Sequence, residues 1–257
     1  MCRIAAYMGT PIPLGQFLMQ PPHSLYRQSW DARELQTATV NADGFGLGWL
    51  DDQGRPATYT NTAPIWSDPN LSGLGRSLAS PVWLGNVRSA TPGMTVNQHN
   101  TQPFADEQWL YTHNGFIDNF TRGLRPRLQQ WLDVEIQAGI QGTTDSEYLF
   151  ALLRQILAGE PEVPAALRRA CSLIETWAPG ERALLSLVMT DGLRLYALRH
   201  ALAAEPPTLY YSTDTDGFPD GQLIASEPLD EAGIWHAIPP GHLLILDPER
   251  PAELLEL

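Results

Sequence analysis

The sequence predicts an α+β layered domain, and three observations carry the prediction. Strand-like apolar stretches come in groups and helical stretches come in groups, without the strict strand–helix alternation of a parallel sheet. Asp191-Gly192 separates apolar runs at 184–190 and 193–199, the strongest short-range hairpin signal. Tyr148, Leu149, Leu152, Leu153, Ile156 and Leu157 form an apolar stripe that follows the cap-forming run Thr143-Thr144-Asp145-Ser146-Glu147, so a helix should start near Thr144.

In order along the chain, apolar runs bounded by turn residues place strands at 3–7, 46–50, 57–60, 82–88, 108–113, 184–190, 193–199, 208–212 and 243–247. The 108–113 strand is expected to pair antiparallel with 82–88. Amphipathic periodicity places helices at 14–19, 71–78, 120–132, 146–157 and 164–177. Of 257 residues 43% are apolar, so about 110 side chains are available for a core. With no internal repeat, low-complexity run or dividing linker, the chain reads as a single domain over 1–257.

Charge and composition exclude several classes of function. The chain carries 29 acidic and 16 basic residues, a net charge of −13, which repels the phosphates of nucleic acid and an anionic membrane face. Neither is an expected partner. All 16 basic residues are arginine, which removes Schiff-base chemistry, pyridoxal-phosphate attachment and the phosphate-loop lysine. The apolar stretch at the N-terminus is too short for a secretion signal, and no apolar run approaches the roughly 20 residues that span a bilayer. The two cysteines, Cys2 and Cys171, lack CxxC spacing, and the six histidines form no i, i+4 pair. Neither a disulfide framework nor a metal or organic cofactor is expected, and the cytoplasm is the expected location.

Four segments can carry chemistry, and each has a plainer alternative. Loss of the initiator methionine would leave Cys2 with a thiol and a free α-amine of pKa about 7.7–8.0, a nucleophile and base on one residue; otherwise Cys2 is a small hydrophobe opening a strand. Asn114 and Gly115 either present an amide and a backbone N–H to a developing oxyanion or form an ordinary Asn-Gly turn. Arg88, with Thr91 near it, either grips a carboxylate bidentately or is a surface arginine at a strand end. Asp145 either receives a substrate ammonium or caps a helix. Taken jointly, nucleophile, oxyanion hole, carboxylate clamp and ammonium clamp suit an amino-acid-like acyl group. Cys171 reads as a structural thiol, and Ser226-Glu227-Pro228-Leu229 with Trp235 as a turn.

Met1-Cys2-Arg3, Asn41-Ala42-Asp43-Gly44-Phe45-Gly46, Arg88-Ser89-Ala90-Thr91, His113-Asn114-Gly115 and Thr144-Asp145-Ser146-Glu147, in this order, resemble the class II glutamine amidotransferases. These are N-terminal nucleophile hydrolases that cut the γ-amide of glutamine through a γ-glutamyl thioester. The resemblance implies a four-layer αββα sandwich of two antiparallel sheets. It also implies roles: Cys2 as nucleophile, Asn114 and Gly115 as oxyanion donors, Arg88 and Thr91 for the α-carboxylate, Asp145 for the α-ammonium, and His113 beside them, orienting the turn. The chain departs from the family at Asn86, Pro92 and Gln102, where histidine is frequent. The glutaminase-like unit fills the length, which leaves no room for a synthase.

Pro21-Pro22-His23-Ser24-Leu25 and Ala63-Pro64-Ile65-Trp66-Ser67-Asp68 look like a stand-alone branch of that family. Its members release glutamate from a γ-glutamyl sulfoxide conjugate carrying a trimethylated histidine, in ergothioneine biosynthesis. For such a substrate, Trp30, Trp66 and Tyr26, with Asp31 and Asp68 beside the tryptophans, are candidates for a wall facing the quaternary ammonium, or else core and loop anchors. The expected partner is therefore a small γ-glutamyl compound, with the oligomeric state, a homo-oligomer included, left open. Two alternatives remain: a glutaminase subunit serving a separate synthase, and a non-catalytic sensor of γ-glutamyl compounds.

Overall fold

In the computed structural model, which describes residues 1–35, 40–90 and 95–257, two antiparallel sheets stack face to face with helices on both outer faces. The chain begins with β1 (Arg3–Pro13), α1 (Leu14–Leu18), α2 (Leu25–Asp31), β2 (Phe45–Leu50), β3 (Pro56–Asn61), α3 (Leu71–Ser77) and β4 (Ala79–Val87). It continues through β5 (Phe104–Ala105), β6 (Leu110–Ile117), α4 (Leu124–Trp131), α5 (Val134–Ala138), α6 (Asp145–Gly159) and α7 (Val163–Trp177). It closes with β7 (Ala183–Thr190), β8 (Leu195–Arg199), β9 (Ala201–Leu202), β10 (Tyr210–Ser212), β11 (Gln222–Ala225), β12 (His236–Ala237), β13 (His242–Asp247) and β14 (Arg250–Glu256). The first sheet has the order β12-β10-β11-β1-β4-β2-β3 and the second β14-β13-β8-β7-β6-β5, with β9 attached to β7.

Three buried clusters make four layers. Ile4, Ala6 and Leu84 of the first sheet meet Leu110, Val188, Ala197 and Leu244 of the second across the seam. On the outer face of the first sheet, Leu14, Phe17, Leu25 and Leu71 pack on Tyr7, Phe45 and Trp83. On the outer face of the second, Leu128, Leu149, Leu152 and Leu167 pack on Tyr111, Leu185 and Leu198. The αββα arrangement is the one expected. Because β1 is covered on both faces, it reads as a continuous apolar run rather than an alternating one. Helix α6 begins where its caps place it, the Thr144 side chain accepting from the Glu147 N–H at 3.3 Å.

Three expectations need correction. The 108–113 segment does not pair with 82–88: β6 pairs with β5 and β7, and it faces β4 across the seam through Asn86 Nδ2, which donates to Thr112 Oγ1 at 2.9 Å. Two buried strands that face each other carry the same apolar pattern as two that pair. The hairpin at Asp191 has a four-residue connection, since Thr190 pairs with Leu195. Asp191 Oδ1 accepts from the N–H groups of Leu193 and Arg194, which holds both in the turn and leaves Leu193 exposed. The 120–132 segment is helical only over Leu124–Trp131. Among the described residues no helix is long and apolar enough to cross a membrane.

Candidate active site

The first sheet delivers three chain segments to one end. Arg3 pairs with Val87, which puts Cys2 beside Arg88 at the ends of β1 and β4. The Arg88 N–H donates to Gly44 O at 2.9 Å and the Asp43 N–H to Arg88 O at 3.0 Å, so the segment before β2 flanks the same place. Asp43 Oδ2 accepts from the Ala90 N–H at 2.8 Å and fixes the chain beyond the arginine. By strand alternation Cys2 and Arg88 share the seam face with Ile4 and Asn86, while Arg3 faces the helices. The nearest partner of Cys2 Sγ is Ser89 O, at 3.9 Å.

From the second sheet, β6 brings His113, Asn114 and Gly115. The His113 ring is fully buried between Ser146 Oγ, 2.9 Å from Nδ1, and Leu184 O, 2.8 Å from Nε2. A carbonyl only accepts, so Nε2 carries the proton and Nδ1 accepts from the serine hydroxyl. Burial lowers the pKa of the imidazole, against the pull of Asp145 and the Leu184 hydrogen bond, and the ring is neutral. Gly115 is required by close approach: a Cβ there would collide with Leu184 O and lie 2.5 Å from His113 Nε2. Asn114 is 1% exposed, and neither amide atom has a partner among the described residues.

Asp145 opens α6. Its Oδ2 accepts from the Ile117 N–H and its Oδ1 from the Ser146 N–H, both at 2.8 Å, so it ties the helix to β6 while Thr144 does the capping. Cys2, Arg88, His113, Gly115 and Asp145, with Gln102, line one small cavity of about 30 Å³. A larger cavity of about 370 Å³, lined by His99, Gln141 and Arg154 among others, contains none of the candidate residues. Arg88 is 4% exposed, makes no salt bridge to a described residue, and has one long contact, Nη1 to Asp43 O at 3.4 Å. A buried guanidinium without a counterion is costly, and the cavity wall is where an anionic group would relieve it. Thr91 lies outside the described residues.

The tryptophans form a separate cluster, absent from the lining of that cavity. Trp30 meets Tyr26 and Trp66 edge to face, with ring centroids 5.0 and 5.8 Å away, and Trp66 is 40% exposed. The Arg27 guanidinium lies 5.5 Å from the Trp30 ring centroid. The acids named beside them are engaged elsewhere. Asp31 pairs with Arg27, and Asp68 accepts from Tyr59, Asn61 and the Asn70 N–H.

Sequence reasoning passed over two buried residues. Gln102 Oε1 accepts from the His113 N–H at 2.6 Å and its Nε2 donates to His113 O at 2.9 Å. The Asn114-Gly115 pair is not a turn but lies within β6, opposite Ser186 and Leu185 of β7, and the glutamine braces that strand. Glu227, read only as part of a turn, pairs with Arg3 and His23 and accepts from two backbone N–H groups. The signal was an arginine and a glutamate, each embedded in an apolar run, at Arg3 and in Leu223-Ile224-Ala225-Ser226-Glu227-Pro228-Leu229. Buried charges of opposite sign need each other. Burial would raise the Glu227 pKa, but hydrogen bonds from His23, Arg33 and Glu34 and the charge of Arg3 hold it down at about 2.

Burial pushes the Cys171 thiol up to about 12, with Glu175 adding to the effect, so it stays protonated and inert. Iodoacetamide at mildly alkaline pH is expected to label Cys2 and spare Cys171 in the folded protein. Peptide mass spectrometry reads the two sites separately, and equal labelling would contradict the assignment.

The family model for class II glutamine amidotransferases matches residues 21–211. The chain is 31% identical to the gamma-glutamyl-hercynylcysteine sulfoxide hydrolase of Mycolicibacterium smegmatis, over 95% of each chain. It is 29% identical to a probable glutamine amidotransferase of Saccharomyces cerevisiae, over 96% of this chain and 82% of that one. Among solved structures, a glutamine aminotransferase class-II domain protein from Silicibacter pomeroyi superposes with a TM-score of 0.73 at 29% identity, covering 99% of both chains. The glutamine phosphoribosylpyrophosphate amidotransferase of B. subtilis shares the fold, with a TM-score of 0.68 at 16% identity over 99% of this chain and 49% of that one.

Proposed function

Because the chain belongs to the class II glutamine amidotransferases, and is thus an enzyme of the N-terminal nucleophile type, we propose that it hydrolyses the γ-glutamyl amide of γ-glutamyl-hercynylcysteine sulfoxide. Residues 1–257 act as one unit in this reading. Removal of Met1 frees the α-amine of Cys2, which takes the thiol proton, and the thiolate attacks the γ-carbonyl carbon. The Asn114 amide and the Gly115 N–H receive the oxyanion. Collapse breaks the C–N bond, and the α-ammonium returns its proton to the departing amine. Water, deprotonated by the same amine, then opens the γ-glutamyl thioester and releases glutamate. Arg88 and Thr91 hold the α-carboxylate and Asp145 the α-ammonium, while His113 buttresses the stretch of β6 that carries the oxyanion donors.

The observation that supports this reading is the buried Arg88 guanidinium, without a counterion among the described residues, on the cavity wall shared by Cys2 and Asp145. A thiol, a cation and a carboxylate on one wall complement the charges of a zwitterionic glutamyl tail. For the leaving group, the Tyr26–Trp30–Trp66 cluster offers ring faces to a quaternary ammonium, and the Trp30 face already attracts the Arg27 cation.

The test is glutamate release from a panel of glutamine, glutathione and the hercynylcysteine sulfoxide conjugate, with the highest kcat/KM expected for the last. Trp30→Ala is expected to raise KM for that conjugate about fivefold or more and to leave KM for glutamine unchanged. Preference for free glutamine would replace the proposed substrate with the glutaminase reading. No release from any of the three would leave a binding protein.

A further inference from the structure

Cys2 and Arg3 leave the chain on opposite faces of the first sheet, yet they are joined. The Arg3 side chain, fully buried among the helices, folds back so that Nε donates to the Cys2 carbonyl at 2.8 Å. Its Nη1 donates to Glu227 Oε1 at 3.1 Å. The same carboxylate accepts from the Glu34 N–H at 3.0 Å and, through Oε2, from the Arg33 N–H at 2.8 Å and lies 2.7 Å from His23 Nε2. Continued two residues beyond the Ala5–Ala225 pair, the β1–β11 register brings Arg3 level with Glu227, and the intervening position is locked by Ser226, whose N–H donates to Ile4 O and whose hydroxyl accepts from the Ile4 N–H.

We propose that Glu227 is a positioning residue for the nucleophile: through Arg3 it fixes the main chain of Cys2, and it balances the charge that Arg3 brings to the buried terminus. The inference rests on the reading of Cys2 as nucleophile. Once Met1 is gone, Cys2 has a covalent tether on one side only, and terminal residues fray unless tied down. The Arg3 bond to its carbonyl is such a tie, and a guanidinium is held in one orientation only if its other arm is anchored. A buried ion pair is in general a weak stabilising device, so four contacts converging on one carboxylate call for another purpose. That purpose is adjacent. Around Arg3 stand Glu227, His23, Glu34 and Cys2, and around the terminal amine stand Cys2, Arg3 and Asp43. Burial lowers the pKa of that amine, which Met1 carries, with Cys2 and Asp43 opposing the shift and Arg3 adding to it. Removing the charge of Glu227 would leave Arg3 uncompensated, and its positive field would then favour the thiolate over the thiol at Cys2.

The test is Glu227→Gln in the full chain, which keeps the shape and an acceptor and removes the charge. Expected are a fall in kcat of about tenfold to 10²-fold, the scale of a nucleophile displaced by a fraction of an ångström, and a KM within about threefold of wild type. The pH of half-maximal Cys2 alkylation should move down. Arg3→Lys, which keeps the charge and loses the planar fork, should lower kcat similarly without moving the alkylation midpoint, and it serves as the test if E227Q folds poorly. If both variants keep kcat within about twofold of wild type while Cys2→Ala is inactive, the inference fails and the nucleophile reading stands. An active Cys2→Ala removes both. Loss of rate that follows the melting temperature alone, and returns on cooling, would make Glu227 merely structural and overturn the proposal.

Discussion

Cys2→Ala is expected to reduce glutamate release by about 10⁴-fold or more while the protein remains folded. The substitution removes one sulfur atom whose nearest partner is a carbonyl at 3.9 Å, from a side chain 9% exposed. Little packing is lost, so the melting temperature should change by a few degrees at most. Serine should be nearly as inactive, because a hydroxyl is a much weaker acid than a thiol and its shorter C–O bond holds the nucleophile back from a carbonyl positioned for sulfur. A coupled glutamate assay, beside mass spectrometry to show that Met1 is removed, gives the comparison. Wild-type turnover in Cys2→Ala would mean that another group does the chemistry.

The second large effect is expected at Asn114. Asn114→Ala should lower kcat by about 10²–10³-fold with KM nearly unchanged, since an oxyanion donor serves the transition state more than the bound substrate. Its effect on stability should have the opposite sign to that of most core substitutions. Both amide atoms of Asn114 are buried without a partner among the described residues, and an unsatisfied buried polar group costs about 1–3 kcal/mol. Replacing it with alanine relieves that cost against some lost packing, so the melting temperature should hold or rise while activity collapses. Measuring kcat and melting on the same preparation checks both. A variant that loses stability and rate together would mark Asn114 as a structural residue of β6.

The fold was legible wherever a single face is apolar. Helix α6 follows from its stripe and its caps, and β7 from an unbroken apolar run. Helix α2 was not, because its buried face carries Gln28 and Ser29 beside Leu25. Gln28 Nε2 donates to His23 O and Glu227 O, a burial that hydrophobic periodicity does not register. Strand β14 is an edge with mostly exposed residues, including Glu253 and Glu256, and edge strands need no apolar alternation. Of the candidate site, Cys2, Arg88, Gly115 and Asp145 were legible only jointly, through the order of their motifs, and they line one cavity, whereas Asn114 is not among its lining residues. What stayed hidden were the supports, Gln102 and Glu227, because a brace is defined by what it touches, and its contacts lie 11 and 224 residues away.

Strand β1 has ladder partners on both sides, β11 and β4, held in one register by Ile4–Ser226 and Arg3–Val87. Because successive side chains alternate, a slip of one position would exchange Arg3 and Cys2: the guanidinium would enter the seam and the sulfur would be sealed among helices. Reactivity at the first residue is therefore enforced by pairing far along the same strand, at Tyr7 with Trp83 and Leu223. Changes that loosen this mid-strand ladder should silence the enzyme before they melt it.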